Sequence, residues 1–451
     1  MKSAKAVDVV IIGGGIVGTV LAKGLSEKIR LSVALIDAVD PKQSSESSAD
    51  FNPFTDTRVI ALARRTVNEL SDIGLNLEDL AKQHNGELPP QIKHIEVTDK
   101  GHVGLLNLNS YDHHIDAFGQ VVSLSALTRL AASASSAYQY IAPAKVVTVT
   151  QHKDRVNVGL DNGETLTAKL LVLADGGRSG LAQQVGIAKT VSDYKQTAIV
   201  FNVHTQNPHE NKAYERFTQH GPLAFLPFDS EIEGVKAREN GFSVVWTVET
   251  EAAQSLMTLS KTEFVNALQD AFGYRQGKIL RVSELASYPL MLAKAEPVTS
   301  HRTVVVGNAA QALHPIAGQG FNLGLRDLSA LIAVLGASSN PHNEQQNAAN
   351  QDEENSQNQS AHEYVTERFD AGAFNVLQRY ANERKQDRNN TITLTDTLVR
   401  TFSNQYFPTV IGRNVSLLAL SMMPQAKKAF VKYTTGYGET PQMKRDRDAA
   451  R

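Results

Sequence analysis

Hydrophobic positions along this chain of 451 residues follow two spacings, and the order of those spacings predicts a mixed α/β fold. A short apolar run rich in valine and isoleucine at residues 7–12 predicts a buried strand. Residues 16–25 follow with apolar positions at helical spacing, and residues 32–36 form a second apolar run. A strand, a helix and a second strand in this order predict two parallel strands joined by a right-handed crossover.

Later segments extend this pattern into more sheet and more helix. The β-rich block at residues 191–284 contains one obvious helix, and it could form a separate sheet that covers a pocket. The strands predicted after the first two are at residues 145–150, 155–160, 165–173, 198–204, 242–247 and 303–306, and the helices are at residues 262–272, 321–335, 371–402 and 410–433.

Residues 338–360 break the pattern. Of these 23 residues, 11 are asparagine or glutamine and four are acidic, and none is Leu, Ile, Val, Phe, Tyr or Met. Such a segment cannot bury enough apolar surface to offset its conformational entropy. We therefore predict a disordered insertion between two helices, and we favour a tolerated loop expansion over a functional tether.

Composition removes several classes of protein. The chain has no cysteine, which excludes disulfides, cysteine-bound metal sites and thiolate nucleophiles. Its 45 basic and 47 acidic side chains give a formal net charge of −2, which does not favour nucleic-acid binding. The apolar runs are shorter than the roughly 18 residues of a membrane span. We expect a cytoplasmic or membrane-peripheral protein without a metal site.

A glycine motif follows the first predicted strand. Gly13, Gly15 and Gly18 have the spacing G-x-G-x-x-G, and Asp37 ends the next strand. Such glycines allow a tight turn, close approach of the backbone to a pyrophosphate and packing of the helix on the strand, while the acid accepts hydrogen bonds from a ribose. Thr19 stands where a nucleoside-triphosphate loop needs lysine. The motif predicts an adenine dinucleotide site but leaves NAD and FAD open, with a merely tight turn as the alternative.

Two further segments carry a family resemblance. Residues 174–179 follow a predicted strand, and residues 306–322 lead into the apolar helix. With the glycine loop, they resemble the three fingerprints of flavoprotein aromatic hydroxylases of the para-hydroxybenzoate hydroxylase type. Residues 56–62, 215–224 and 307–327 are similar to the ubiquinone-biosynthesis branch. Within that branch, residues 219–222 and Asn308 are most similar to the hydroxylases of 2-octaprenyl-6-methoxyphenol.

The resemblance implies FAD as the cofactor, NADPH or NADH as a transient reductant, and a prenylated phenol as the substrate. It also suggests subunits of a ubiquinone-biosynthesis complex and the inner face of the membrane as partners. Most relatives have aspartate where this chain has Asn308, whose amide can accept the same hydrogen bond without charge. The implied cofactor-binding residues are Gly13, Gly15, Gly18, Asp37, Arg58, Asp175, Gly307, Asn308, Gly318, Gly320 and Asn322.

The predicted catalytic segment comprises Pro315, Gly318, Gln319 and Gly320. If the two glycines open a helix, its free N–H groups and the positive end of its dipole can face the flavin and stabilise the anion of reduced flavin. We interpret the neighbouring His314 as a structural histidine rather than a base.

The implied fold is a Rossmann-like FAD-binding domain interleaved with a β-sheet substrate domain, followed by C-terminal helices. The alternatives to the implied hydroxylase are a sister hydroxylase acting on another ring carbon, a non-oxygenating flavin reductase, and an FAD-dependent assembly subunit. The predicted segments are 1–80, 120–190 and 285–337 for FAD binding, 81–119 and 191–284 for the substrate domain, 338–360 for the insertion, and 361–451 for the C-terminal helices and tail.

Overall fold

A computed structural model describes most of the chain. Residues 340–360 of the predicted insertion and residues 410–421 of the last predicted helix lie outside the described residues. The described residues are 5–39, 52–83, 86–133, 137–232, 237–339, 369–402 and 422–437.

Helices and strands alternate in the first third of the chain, and strands dominate the middle. The helices are α1 Ile16–Lys23, α2 Arg64–Asp72, α3 Leu124–Ser133, α4 Leu181–Gln184, α5 Thr250–Met257, α6 Lys261–Phe272, α7 Gln319–Ser338, α8 Phe374–Phe402 and α9 Pro424–Thr434. The strands are β1 Lys5–Ile12, β2 Val33–Ile36, β3 Val59–Ala63, β4 Gln91–Ile92, β5 His94–Asp99, β6 Leu105–Asn109, β7 Gly119–Ser123, β8 Gln139–Ile141, β9 Val146–Gln151, β10 Val156–Leu160, β11 Thr165–Leu173, β12 Lys189–Thr205, β13 Lys212–Thr218, β14 Gly221–Pro227, β15 Gly241–Glu249, β16 Ile279–Val282, β17 Ala286–Ala295, β18 Thr299–Ser300, β19 Thr303–Val305 and β20 Gln311–Ala312.

The first sheet has a parallel core in the order β19-β11-β1-β2-β8. β1 ends in four consecutive buried residues, as expected for a parallel strand covered on both faces. α1 connects β1 to its neighbour β2 and packs beside α3 and α7. The predicted β-α-β unit is therefore present, and it places the end of β1 in the middle of the sheet.

The second sheet is larger and mostly antiparallel, in the order β20-β17-β12-β15-β14-β13-β5-β6. One face packs against α5 and α6 through a cluster of buried aromatic side chains that includes Phe225, Phe242 and Phe272. α6 starts at a capping box in which Ser260 and Glu263 satisfy each other's backbone N–H groups. The other face of this sheet forms one wall of a cavity, which is described below.

The structure differs from the sequence prediction at several places. The helices α2, α3 and α5 were not predicted, so the block at residues 191–284 contains two helices rather than one, and several strands, among them β3, β7, β13 and β14, were not predicted either. α7 begins at Gln319 rather than at residue 321, since Gly318 adopts a left-handed conformation (φ 62°) and caps it. β17 and β20 lie within the predicted FAD-binding segment 285–337 but pair within the second sheet. The domain boundaries otherwise stay a prediction.

The C-terminal helices close the fold against the N-terminal half. The backbone N–H of Arg65 in α2 donates to the carbonyl of Thr435 (3.0 Å), and the Arg65 guanidinium donates to the carbonyl of Gly436 (3.2 Å). Val399 of α8 and Val431 of α9 join a buried cluster with residues of β5 and β13. By length and composition alone, α7 could cross a membrane, but most of it is buried in this core.

Candidate active site

The three fingerprint segments meet at the end of the parallel sheet. A Cβ added at Gly13 would lie 2.6 Å from the carbonyl oxygen of Ala174, so the first and second segments touch. A Cβ at Gly307 would lie 3.1 Å from Val17, so the third segment packs on α1. The Lys189 ammonium donates to the Asn308 carbonyl (3.2 Å). Segments almost 300 residues apart in sequence therefore form one continuous surface.

The glycine loop has the shape that a bound pyrophosphate requires. A Cβ at Gly18 would lie 1.9 Å from the carbonyl oxygen of Gly13, so only glycine allows α1 to approach the loop this closely. A Cβ at Gly15, in contrast, would meet no atom within 4 Å. The open side of Gly15 adjoins the first turn of α1, where unpaired N–H groups and the helix dipole favour an anion. These residues fit the dinucleotide part of FAD.

Asp37 lies beside this loop. Its carboxylate accepts a hydrogen bond from the Gly14 N–H and another from the Val39 N–H (2.8 Å). The first bond fixes the acid against the glycine turn, as an acceptor for a ribose hydroxyl would have to be. The predicted pairing of the loop with the acid at the end of the second strand is therefore seen as a direct contact.

Two predicted cofactor residues have local partners. The Asp175 carboxylate accepts hydrogen bonds from the N–H groups of Gly177 and Ser179 (2.9 Å each), so it shapes the turn of the second fingerprint. The Arg58 side chain is 53% exposed and lies 3.5 Å from the Asp56 carboxylate. For both residues, a direct contact with FAD stays a prediction.

A buried ionic network supports the third fingerprint, and the sequence analysis did not identify it. The Asp327 carboxylate in α7 accepts hydrogen bonds from the Gly307 N–H (3.1 Å), the Gln311 amide (2.7 Å) and the Arg384 guanidinium (2.8 Å). Arg384 also pairs with Asp387, which in turn binds Arg326 (2.6 Å). Burial would raise the pKa of Asp387, but the two arginines hold it below its usual value. The network ties α8 to the Gly307 turn.

A cavity of about 770 Å³ lies between the second sheet, β3 and the C-terminal helices. Its wall is mostly aliphatic and aromatic, as is typical of ligand sites. Of the predicted site residues, the wall contains Asn308, Pro315, Gly318, Gly320 and Asn322. Those absent from its described wall are Gly13, Gly15, Gly18, Asp37, Arg58, Asp175, Gly307 and Gln319. The third fingerprint thus reaches from α1, where Gly307 packs on Val17, to the cavity wall, which contains Asn308.

The start of α7 is the last part of this fingerprint, and it forms part of the cavity wall. Asn322 holds it in place, because its side-chain amide donates to the carbonyls of Ala61 (2.9 Å) and Gly318 (2.7 Å) and accepts from the Ala63 N–H (2.8 Å). Both N–H groups of the amide are therefore used within the protein, and its oxygen accepts one further bond. Its role in this structure is to position α7 against β3, and direct binding of FAD by Asn322 stays a prediction.

His314 is fully buried next to this segment. Its Nδ1 accepts the Ile316 N–H (3.2 Å), and its ring packs edge-on against Tyr194 at a centroid distance of 5.5 Å. Burial lowers its pKa from 6.5 to about 4, so the imidazole is neutral at neutral pH. This geometry agrees with the structural interpretation of His314.

Glu215 is a charged residue of the cavity wall that the sequence analysis did not single out. It lies on β13 and is the one ionisable acid or base in the described cavity wall apart from tyrosines. Burial raises its pKa from 4.5 to about 7. An acid between Ala213 and Phe217, both on the same face of β13, was the available signal in the sequence.

Comparison with known proteins agrees with this geometry. Residues 6–361 match the FAD binding domain family. The ubiquinone hydroxylase UbiL of Rhodospirillum rubrum is 32% identical over 442 residues, covering 96% of this chain and 90% of the relative. The 3-demethoxyubiquinol 3-hydroxylase of Escherichia coli is 27% identical, covering 95% of this chain and 98% of the relative.

Solved structures share the fold. The p-nitrophenol 4-monooxygenase PnpA from Pseudomonas putida superposes with a TM-score of 0.69 at 16% identity, covering 97% of this chain and 100% of that protein. The glycine loop, the paired acid and the three meeting segments are thus set in a known flavoprotein architecture. The chain belongs to the FAD-binding domain family, and within that family it is a flavin-dependent monooxygenase of the ubiquinone-biosynthesis hydroxylase group.

Proposed function

We propose that this protein hydroxylates the ring of a polyprenylated methoxyphenol in ubiquinone biosynthesis, using FAD, NAD(P)H and O₂. The observation that carries the proposal is the apolar cavity bounded at one side by the Pro315–Gly320 segment. An electron-rich ring with a long hydrocarbon substituent matches such a wall. The names of the relatives from Rhodospirillum rubrum and Escherichia coli support the same pathway.

The charge of the wall supports a neutral substrate. No lysine or arginine is present among the described residues that line the cavity. A benzoate-type substrate would bring a carboxylate into this wall without a cation to pair with it, and burying an unpaired charge is costly. A phenol with a prenyl chain carries no such charge.

The residues of the chain bind and orient the substrate, and they exclude water from it. FAD, when bound and reduced, would activate O₂, and O₂ would supply the oxygen atom that is transferred to the ring. The N-terminal turn of α7, capped by Gly318, adjoins the cavity with the positive end of the helix dipole, which favours negative charge on a ring system. The aliphatic wall removes water and strengthens these interactions.

An assay with a short-chain substrate tests the proposal. Purified, FAD-loaded protein is incubated with NADPH, O₂ and a 2-prenyl-6-methoxyphenol, and the product is identified by mass spectrometry and NMR. We expect substrate-stimulated NADPH oxidation coupled to one added hydroxyl group. NADPH oxidation without a hydroxylated product would instead support a flavin reductase, and hydroxylation at an unexpected ring carbon would support a sister hydroxylase.

We also propose that the protein works at the inner face of the membrane, where a polyprenyl chain resides. α9 supports this location: Phe430 and Tyr433 line the cavity, whereas Lys428 and Lys432 are exposed on the same helix. Met422 just before it is 74% exposed. Apolar and basic side chains on one segment are typical of binding to anionic lipid.

A flotation assay checks this location. We expect the full-length protein to float with vesicles that contain anionic phosphatidylglycerol, and a variant with Lys428→Glu and Lys432→Glu to float less. The same double substitution should leave the FAD content unchanged. Equal flotation of the two proteins, or no flotation of either, would contradict a role for α9 at the membrane.

A further inference from the structure

We propose that the Glu215 carboxylate holds the substrate's phenol hydroxyl and accepts its proton while the ring is hydroxylated. This inference rests on the proposed function, because it assigns a residue to the same substrate. It adds a polar contact to a cavity that otherwise offers a ring mainly apolar surface. The argument rests on where the strand register places Glu215 and on what surrounds it.

The register of the second sheet directs Glu215 into the cavity. On β13, Glu215 pairs with Ala224 of β14 and with Val97 of β5, and both of these neighbours line the cavity. Side chains alternate between the two faces of a strand, so Ala213 and Phe217 share this face. All five residues belong to the cavity wall.

The same wall is close to the predicted flavin side of the site. Ile316, which follows Pro315 directly, packs in one buried cluster with Phe217 and Val97. These two residues flank Glu215 along its own strand and on the neighbouring strand. A ring placed between Glu215 and the start of α7 would therefore contact both, and its hydroxyl could reach the acid while another carbon faces α7.

No described residue neutralises Glu215. The other ionisable groups in the cavity wall are the phenols of Tyr214, Tyr288 and Tyr433. The nearby charges lie on the opposite face, where Lys212 and Arg275 bind Glu96 at 2.7 and 2.6 Å. Among the described residues, none forms an ion pair with Glu215. A carboxylate left alone in an apolar cavity is costly unless a ligand supplies the missing hydrogen bond.

Burial also gives Glu215 the basicity that the step needs. Its pKa of about 7 lies much closer to the pKa of a phenol than the pKa of an ordinary carboxylate does. In the ionised form, Glu215 removes the proton from the hydroxyl oxygen, which increases the electron density of the ring as the oxygen atom arrives. When the ring becomes aromatic again, Glu215 returns this proton to the hydroxyl oxygen, and the hydrogen displaced from the ring carbon leaves as a second proton, which water accepts. The carboxylate is unchanged over one turnover.

Conservative variants test this role. Glu215→Gln keeps the shape of the side chain but cannot accept the proton, and we expect it to lower the hydroxylation rate by about 10²–10⁴-fold. Glu215→Asp should restore part of the rate. Glu249→Gln is the matched control, because Glu249 is an exposed acid at the end of β15 in the same sheet. FAD content should be the same in all four proteins.

The pH dependence separates a proton acceptor from a residue that only shapes the wall. In the wild type, we expect kcat/KM for hydroxylation to rise as the pH increases through about 7, because Glu215 becomes ionised. The Glu215→Gln profile should lack this rise, while the Glu249→Gln profile should keep it. A Glu215→Gln enzyme with wild-type rate and an unchanged profile would overturn the proposal.

A binding measurement makes the result independent of turnover. A prenylated nitrophenol changes its absorbance when it loses its proton, so its spectrum reports its ionisation in the cavity. An ionised carboxylate disfavours a second negative charge beside it, so we expect the wild type, in its FAD-loaded form, to bind it as the phenolate only at a higher pH than Glu215→Gln does. Equal spectra would overturn the role of Glu215 even if hydroxylation is observed. A Glu215-dependent spectrum without any hydroxylation would keep the phenol contact and reject the proposed function.

Discussion

Replacing Arg384 with methionine is expected to lower the free energy of unfolding by about 3–5 kcal/mol, which is the usual cost of breaking one side of a buried ion pair. Arg384 and Asp327 are 4% and 1% exposed, so the substitution would leave the acid buried without this partner. Asp387 would lose one of its two arginine partners at the same time. Urea denaturation followed by circular dichroism measures the change.

Arg400 provides the matched control on the same helix. It pairs with Asp396 at 2.8 Å, but its side chain is 66% exposed. Exposed pairs contribute about 0–1 kcal/mol, so Arg400→Met should change the free energy of unfolding very little. Similar losses in the two variants would show that the buried network has no special stabilising role.

The Arg384 network also has a functional side. Because Asp327 accepts the Gly307 N–H, movement of this carboxylate would disturb the turn that carries Asn308. We therefore expect the Arg384→Met protein that remains folded to release FAD more readily than the wild type. The arginine is a positioning residue, because it is not among the described residues that line the cavity.

Gly318→Val is expected to reduce turnover by about 100-fold or more while the chain stays folded. Gly318 has φ 62°, and a β-branched residue in this left-handed conformation is strained by about 1–2 kcal/mol. Relief of the strain would shift the first turn of α7, and a displacement of about 1 Å in a reacting geometry can cost about 10²-fold in rate. Substrate-stimulated NADPH oxidation and product yield measure the effect.

Gly101→Val serves as the control for strain alone. Gly101 has φ 83° in the turn between β5 and β6, and a Cβ there would meet no atom within 4 Å. Both variants should lose similar stability, but only Gly318→Val should lose activity. Full activity in the Gly318→Val protein would remove the start of α7 from the active site.

Much of the fold could be predicted because local sequence reports it directly. The apolar run at residues 7–12 and the glycines after it define β1, the tight turn and the start of α1, since each feature depends on neighbouring residues. The contact between Asp37 and the glycine loop follows from the order of two parallel strands. For the same reason, the buried helix α7 was predicted to within a few residues.

The remaining features depend on packing between distant segments. Arg384 and Asp387 lie in a helix with many polar residues, and no local pattern shows that they are buried against α7. The acid between Ala213 and Phe217 indicates an apolar face of β13, but the sequence alone does not show that this face borders a cavity. The left-handed conformation of Gly318, which starts α7 two residues before its predicted start, occurs where Gly318 lies beside Ala61 of β3, a residue far away in sequence.

The hydrogen bonds from Arg65 to Thr435 and Gly436 have a consequence for the order in which the protein is made. On the ribosome, the glycine loop leaves the exit tunnel when most of the chain has yet to be synthesised. The cavity wall, in contrast, needs Phe430 and Tyr433 from the last described helix. All three fingerprint segments are therefore synthesised before the helix that closes the chamber for the ring.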